Sequence, residues 1–167
     1  EELIKYINED LQNESLIILD SALEQFKLHS NLNASHVYLK VSEETKNLET
    51  VEKIWEIMFS SNLNRSHDIV IIGGGVMLDL CSFAASTYKR GISFTLVPST
   101  LLAMVDASHG GKNGFNNDYG KNQIGTFNLP KCVIACFELL NTLKDKDYKD
   151  GLIELLKHGL IGSKEIF

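Results

Sequence analysis

The feature that most constrains the fold is a continuous run of β-branched residues that leads directly into three glycines. Residues 69–72 read Ile-Val-Ile-Ile, and Gly73, Gly74 and Gly75 follow at once. An uninterrupted β-branched run is typical of a strand buried on both faces of a parallel sheet. Residues 76–88 continue with a helical pattern, so the sequence predicts a strand, a tight turn and a helix in that order.

The rest of the chain repeats this alternation of apolar runs and helical patterns. Further strands are predicted at residues 16–19, 36–41, 94–97 and 131–135, and further helices at residues 48–59 and 148–159. This alternation predicts an α/β domain built on a parallel sheet. Residues 106–128 differ, because they are rich in glycine and asparagine and lack periodicity. We expect a long irregular loop there, and the lysines among its glycines favour a functional loop over a disordered one.

The composition excludes several classes of partner. The 167 residues carry a net charge of −6, and 44% of them are hydrophobic. No apolar run is long enough to span a membrane, and an acidic chain has no overall attraction for nucleic acid. We therefore expect neither a membrane nor a nucleic acid as partner. An anionic ligand must be held by local basic residues.

The three cysteines show neither a disulfide pattern nor the spacing of a zinc site. Cys132 and Cys136 lie four residues apart in a predicted strand, which predicts that they share one face of it. We expect these thiols and Cys81 to be core residues rather than metal ligands or a redox pair. Free thiols favour a cytoplasmic location.

The glycine triplet and the polar residues near it are the first candidates for ligand binding. Glycines between a strand and a helix let the backbone approach a pyrophosphate and aim helix N–H groups at it, although plain turns also contain three glycines. Asp79 lies one helical turn further on, as either a ligand contact or a structural hydrogen-bonding group. Ser99 and Thr100 follow a strand that ends in proline, and they either cap a helix or contact the ligand.

Two further groups of residues carry charge. Arg90, Asp106, Lys112, Lys121 and Asn122 lie near glycines, where they could hold a phosphorylated, hydroxylated small molecule or simply be solvated.

On the last predicted helix, Glu154 and His158 have the i, i+4 spacing of a metal-binding pair, with Lys157 beside them. A Glu–His contact on a solvated face has the same spacing. Two ligands alone make an incomplete site.

Several motifs occur in a fixed order. They are Gly73-Gly74-Gly75-Val76 with Asp79, Tyr88-Lys89-Arg90-Gly91, Val97-Pro98-Ser99-Thr100-Leu101-Leu102-Ala103, Val105-Asp106-Ala107-Ser108, Gly110-Gly111-Lys112, Gly120-Lys121-Asn122, Thr142-Leu143 and Gly151-x-x-Glu154-x-x-Lys157. Together they resemble the dehydroquinate synthase family over residues 68–160. Glu43-x-x-Lys46 adds weaker support upstream.

The resemblance implies a two-domain enzyme of the shikimate pathway. Residues 1–145 would form a Rossmann-like NAD-binding α/β domain, and residues 146–167 would begin an α-helical metal-binding domain. The family uses NAD and a divalent metal, zinc or cobalt. It converts 3-deoxy-D-arabino-heptulosonate 7-phosphate to 3-dehydroquinate and phosphate through transient oxidation by NAD, phosphate elimination, re-reduction and aldol cyclisation.

The resemblance also assigns roles position by position. The cofactor positions are Asp20, Glu43, Lys46, Gly74, Gly75, Val76, Asp79, Ser99, Thr100, Leu102, Lys121, Thr142, Leu143 and Asp147, the last replacing the usual Glu. The substrate positions are Asp106, Lys112, Lys121, Asn122 and Lys157, and Asp106, Lys112, Glu154 and Lys157 are the catalytic set. Glu154 matches a metal ligand, whereas His158 matches a variable position. Arg90 matches an arginine that reaches the substrate phosphate of the neighbouring subunit, which implies a homodimer.

Four departures from the family pattern stand out. Leu78 replaces a glycine, which could crowd the turn, and Ala22, Asn113 and Lys144 replace a polar residue, a threonine and a proline.

The alternatives are another sugar-phosphate cyclase or a polyol dehydrogenase of the same superfamily, and an NAD-binding fragment without catalysis. The chain begins at Glu1 without a methionine, so we expect a part of a longer enzyme that is inactive alone.

Overall fold

A five-stranded parallel sheet forms the centre of the molecule. The computed structural model describes residues 16–26 and 34–162. Within them the strands of the sheet are β1 (Leu16–Asp20), β2 (Ser35–Leu39), β3 (Asp68–Gly73) and β4 (Ser93–Pro98), and, after a hairpin of β5 (Lys112–Asn117) and β6 (Gly120–Phe127), β7 (Cys132–Val133). The sheet has the strand order β2-β1-β3-β4-β7, and every neighbouring pair is parallel. Three helices are α1 (Leu48–Ser60), α2 (Gly75–Thr87) and α3 (Asp145–Ile161). The predicted α/β class is confirmed.

Strand β3 lies between β1 and β4 and is buried on both faces, as its β-branched run predicts. Ile69 and Ile71 pack with α1 and α2 on one face of the sheet. Val70 and Ile72 pack with Val97 in a separate cluster on the other face. Because the strands are parallel, the carboxyl ends of β1, β3 and β4 meet at one edge of the sheet. Ligands of open α/β sheets bind at that edge.

Helix α2 follows the glycine turn and is almost entirely buried. Leu78 is 1% exposed and belongs to the core cluster under the sheet. Its backbone N donates to Gly74 O at 3.0 Å, as in a regular first turn. The expectation that Leu78 crowds the turn is therefore wrong, because its side chain points into the core.

Residues 106–128 are ordered rather than an irregular loop, which corrects the prediction. Ala103–Ala107 forms a π-helical turn, in which Ser108 N donates to Ala103 O at 3.0 Å. Strands β5 (Lys112–Asn117) and β6 (Gly120–Phe127) then form an antiparallel hairpin. Gly114 and Gly125 face each other across it, and a Cβ on either residue would overlap the backbone of the opposite strand. This close backbone approach explains why the strands contain glycine and lack alternation.

The strand predicted at residues 131–135 is shorter than expected. Only Cys132 and Val133 form β7, and Cys136 precedes a 3₁₀ segment at Phe137–Thr142. The two cysteines therefore do not share a strand face. Cys81 is fully buried, and burial raises the pKa of its thiol. Cys132 and Cys136 are only half-buried, so the expectation of core thiols holds for Cys81 alone.

Helix α3 starts at Asp145, three residues earlier than predicted, and ends at Ile161. Lys144 precedes it with φ −74°, an angle that proline also adopts. The proposed boundary between residues 145 and 146 falls at this helix start and stays a prediction, since residues 163–167 lie outside the described part. No helix in the described ranges is long and apolar enough to cross a membrane.

Gly151 lets α3 contact the segment that follows β4. A Cβ on Gly151 would lie 2.6 Å from Leu101 Cβ and 2.7 Å from Leu102 N. Alanine favours helix by about 1 kcal/mol over glycine, but overpacking costs about 1–3 kcal/mol. We expect Gly151→Ala to lower the free energy of unfolding, measured by urea denaturation. Exposed Lys149→Ala on the same helix is the control, and a stabilised Gly151→Ala variant would contradict this packing.

Candidate cofactor and substrate site

The glycine turn leaves backbone open at the carboxyl edge of the sheet. Gly74 is the N-cap of α2 and no side chain caps this helix, so its first N–H groups remain available. A Cβ on Gly74 would lie only 3.2 Å from Thr100 Cγ2, which leaves little room for a side chain. Ser99 N donates to Gly73 O at 2.8 Å and joins the neighbouring loop to the turn. This arrangement fits the pyrophosphate of a dinucleotide.

Asp20 lies at the same edge, at the end of β1. Its Oδ1 accepts a hydrogen bond from Ala22 N at 3.0 Å. Burial raises the pKa of the Asp20 carboxyl, and the bond from Ala22 offsets only part of that effect. Ala22 contributes here through its backbone, so the missing polar side chain does not affect this contact.

Lys46 joins three segments of the chain through a buried ammonium group. Its Nζ lies 2.5 Å from Asp79 Oδ2 on α2 and 2.7 Å from Asn122 Oδ1 on the hairpin. The Lys46 side chain is only 5% exposed. Burial raises the pKa of Asp79 despite this ion pair. Asp79 therefore has a structural partner, and its carboxylate also faces a cavity.

A second set of contacts closes the hairpin over this pair. Asn116 Nδ2 donates to Glu43 Oε1 at 2.9 Å, and Lys121 Nζ lies 3.2 Å from the same oxygen. Asn116 N also donates to Lys46 O at 2.8 Å, and Asn122 N donates to Asn116 Oδ1 at 2.9 Å. Burial opposes ionisation of Glu43, but the bonds from Asn116 and Lys121 lower its pKa overall.

A cavity of about 310 Å³ lies between α2 and the hairpin. Asp79, Lys112 and Asn122 line it, together with Asn113 and Thr126. The Asn113 amide occupies the usual threonine position, donating to Gly111 O at 3.2 Å and accepting from Thr126 Oγ1 at 2.6 Å. The structure thus brings predicted cofactor and substrate residues to one cavity.

The π-helical turn carries Asp106 toward α3. Thr100 Oγ1 accepts from Ala103 N at 3.1 Å, so the capping role expected for this residue is present. Leu102 is 40% exposed beside it. π-helical turns are frequent at functional sites.

Asp106, Glu154 and His158 form a cluster whose ligand atoms lie within 4.8 Å of one another. His158 Nε2 lies 3.5 Å from Glu154 Oε1, is buried and makes no hydrogen bond within the described part of the chain. Lys157 forms an ion pair with Glu154. The hydrogen bond that Lys157 donates to the Glu154 carboxylate raises the pKa of Lys157. Two carboxylates and an imidazole are a donor set that fits zinc.

The structure places Arg90 away from this region. Arg90 follows α2 and lies beside the amino ends of β3 and β4, on the opposite edge of the sheet. Thr142 donates to Leu139 O at 2.6 Å, Leu143 ends the same 3₁₀ segment, and Asp147 is exposed in the first turn of α3. Their cofactor roles stay predictions.

Sequence reasoning missed Asn116, which contacts Glu43, Lys46 and Asn122. Its surroundings are rich in asparagine, so residue type alone did not distinguish it. The family resemblance gives His158 a variable position, but its i, i+4 spacing from Glu154 correctly indicates the contact between His158 Nε2 and Glu154 Oε1.

Comparison with known proteins identifies the family. A protein-family model described as 3-dehydroquinate synthase N-terminal matches residues 36–150 of the chain. The chain belongs to the 3-dehydroquinate synthase family. The 3-dehydroquinate synthase of Campylobacter curvus is 42% identical over 172 aligned residues, covering 97% of this chain and 50% of that protein. The chain spans between 31% and 50% of the length of the curated relatives it matches.

Solved structures of sugar-phosphate cyclases have the same fold. 2-Epi-5-epi-valiolone synthase from Streptomyces hygroscopicus, solved with NAD⁺ and Zn²⁺, has a TM-score of 0.87 and 28% identity, covering 94% of this chain and 46% of that one. 2-Deoxy-scyllo-inosose synthase, complexed with carbaglucose-6-phosphate, NAD⁺ and Co²⁺, has a TM-score of 0.82 and 28% identity, covering 96% and 47%.

Replacement of Lys46 tests the buried ion pair. Lys46→Met leaves the Asp79 carboxylate without its counter-charge, and breaking a buried pair in this way costs about 3–5 kcal/mol. Urea denaturation should show this loss. Lys53→Met, which removes an exposed i, i+4 partner of Glu49, should cost less than about 1 kcal/mol. Equal effects of the two substitutions would contradict the structural importance of Lys46.

Replacement of Asp20 tests the effect of its raised pKa on stability. Because the folded-state pKa lies above the ordinary 3.8, the protein loses stability as the pH rises through the folded value. Asp20→Asn lacks that loss, so it should unfold at a higher temperature than the wild type at pH 7, with the difference vanishing below about pH 4. Exposed Glu24→Gln serves as the control. A difference that grows on acidification would refute the assignment.

Proposed function

We propose that the full-length protein containing this chain is a 3-dehydroquinate synthase. It converts 3-deoxy-D-arabino-heptulosonate 7-phosphate to 3-dehydroquinate and phosphate, with NAD and a divalent metal as cofactors. The observation that carries the proposal is the cavity between α2 and the hairpin, where Asp79, Lys112 and Asn122 meet beside the glycine turn. Family membership supports the same reaction. The 167-residue chain alone holds one part of this machinery and is expected to be inactive.

The carboxyl edge of the sheet holds the cofactor in this proposal. The free N–H groups of α2 bind the pyrophosphate, while Asp20 and Glu43 accept hydrogen bonds from ribose hydroxyls. Asp79, held by Lys46, faces the cavity as a further acceptor. When bound, NAD supplies a reversible two-electron oxidant for a ring carbinol. The chain orients the dinucleotide and leaves its reactive end open to the cavity.

Cations hold the substrate in this proposal. Lys112 lines the cavity, Lys121 on the hairpin pairs with Glu43, and Lys157 on α3 pairs with Glu154. Ammonium groups are point-charge partners for carboxylate and phosphate. The Asn122 amide supports a substrate hydroxyl, and the Asp106 carboxylate accepts a hydroxyl proton. The hydrogen bond to Glu154 raises the pKa of Lys157.

Glu154 is the proposed metal ligand of this chain. The ligand atoms of His158 and Asp106 lie within 4.8 Å of that of Glu154 and of each other. When bound, the metal supplies Lewis-acid polarisation of a substrate hydroxyl. Glu154 would hold the metal in place of its ion pair with Lys157, and the Lys157 ammonium would then be available to the substrate.

The assembly and location belong to the same proposal. Arg90 lies on the far edge of the sheet, so it serves the substrate of a neighbouring subunit in a homodimer. The free thiols fit a cytoplasmic enzyme. The main rival is another sugar-phosphate cyclase, favoured by the TM-scores of 0.87 and 0.82 to enzymes of that class.

Phosphate release tests the reaction. We expect the full-length protein with NAD and zinc to release inorganic phosphate from the heptulosonate phosphate. Lys112→Gln should lower kcat/KM by about 100-fold, because it removes a preorganised charge, whereas exposed Lys53→Gln should leave it unchanged. Release only from a sugar phosphate that lacks the carboxylate would favour the rival cyclase and refute the proposal.

A further inference from the structure

A second basic cavity lies on the opposite side of the molecule from the cofactor edge. It has a volume of about 380 Å³ and is lined by Arg65, Arg90 and Lys131 together with apolar and small polar residues, but by no carboxylate. The chain as a whole carries a net charge of −6. Three cationic side chains around one cavity therefore make this part of the surface positive on a chain that is negative overall. Lys131 Nζ donates to Asp68 Oδ2 at 2.6 Å, so the Asp68 carboxylate neutralises this lysine. The excess positive charge therefore comes from the two arginines.

A strained turn presents Arg90 to this cavity. Lys89, Arg90 and Gly91 all have positive φ angles, of 47°, 70° and 113°. Two consecutive non-glycine residues in the left-handed region cost free energy, and such conformations persist only where the surrounding structure holds them. Tyr88 Oη and Lys89 Nζ hold the turn, since they donate to Leu63 O at 2.9 Å and 2.6 Å.

The same contacts fix the segment that carries Arg65. Leu63 is buried, and its carbonyl is the acceptor for both Tyr88 and Lys89. The next residues form a closed turn, in which Asn64 Oδ1 accepts from Ser66 N at 2.8 Å and from Ser66 Oγ at 2.6 Å. Arg65 lies within that turn and forms no ion pair in the described part of the chain. The two arginine-bearing turns are thus tied to each other and directed to one cavity.

The cavity is too far from the cofactor edge to serve a ligand bound there. It is lined by Ser93 and Phe94 at the start of β4, whereas Pro98 at the end of β4 adjoins the glycine turn. The five steps from Ser93 to Pro98, at about 3.3 Å each, separate the two edges by roughly 17 Å. A small ligand held at the cofactor edge of one chain would therefore contact this cavity only on a second copy of the chain.

We propose that Arg65 is the second arginine of an anion site, and that Arg65 and Arg90 together bind the phosphate monoester of a substrate held by another copy of this chain. This inference rests on the proposed function for the identity of the substrate. A guanidinium group binds phosphate oxygens in a bidentate manner, and two of them supply the charge that a phosphate dianion requires. Arg65 acts on binding, so it is a positioning residue for the phosphate.

Substitution in the full-length protein tests the role of Arg65. Arg65→Gln should raise the Kd for inorganic phosphate, measured by titration calorimetry, and the KM for the heptulosonate phosphate by about tenfold each. NAD affinity and the unfolding midpoint should stay unchanged. Arg65→Lys should restore only part of the affinity, because an ammonium cannot bind two oxygens in a fork. Lys53→Gln is the matched surface control.

Mixed assemblies test whether the arginines act across subunits. An Arg65→Gln/Arg90→Gln subunit co-expressed with a Lys112→Gln subunit should recover about a quarter of wild-type activity, since half of the dimers have one complete site. Absence of recovery would overturn the action across subunits. Phosphate affinity of Arg65→Gln equal to that of Lys53→Gln would overturn the role of Arg65. The two proposals can also fail separately. If the wild type does not turn over the heptulosonate phosphate, the proposed function is wrong. If Arg65→Gln nevertheless binds phosphate more weakly than the wild type, the anion site is still supported.

Discussion

The buried ammonium of Lys46 determines which segments meet at the functional edge of the sheet. A charge removed from water is tolerated only where close partners compensate its desolvation. Asp79 on α2 and Asn122 on the hairpin provide this compensation, and these two residues are more than forty positions apart in the sequence. Because Asn116 also bonds to the backbone of Lys46, the hairpin is held against α2 from two sides. The cavity lies between these two elements.

The elements with a strong hydrophobic period were predictable, and those held by backbone contacts were not. Strand β3 and helix α2 match the prediction within a residue or two, because apolar burial determines both. The hairpin shows no such period, since Gly114 and Gly125 have no side chains and pair through a close backbone approach. Its apolar contact with the core includes Phe115, whose ring packs against Phe83 at 5.1 Å. One aromatic residue among glycines and asparagines is too weak a signal to indicate two strands.

The candidate site shows the same division between local and long-range information. Residue type and neighbouring glycines indicated Asp79, Lys112 and Asn122, but the spacing left open whether Asp79 binds a ligand or supports the structure. The answer depends on Lys46, which lies 33 residues earlier in the chain. The capping of Ala103 N by Thr100 was predictable because it spans three residues. Pairs that are distant in sequence leave no trace in local patterns, so only the folded chain assigns them.

The distribution of charge connects the two edges of the sheet. An acidic chain gains nothing from its net charge when it binds a phosphorylated acid, so the attraction must come from cations held in fixed positions. These cations fall into two groups, the lysines around the hairpin and the arginines at the amino ends of β3 and β4. A rigid parallel sheet keeps the groups apart, and no side chain is long enough to bridge it. In a two-fold symmetric pair, each group would face the complementary group of the other chain, so both sites would be completed at once. In the proposed homodimer, this separation is the reason why the arginines of one chain would serve the substrate held by the other.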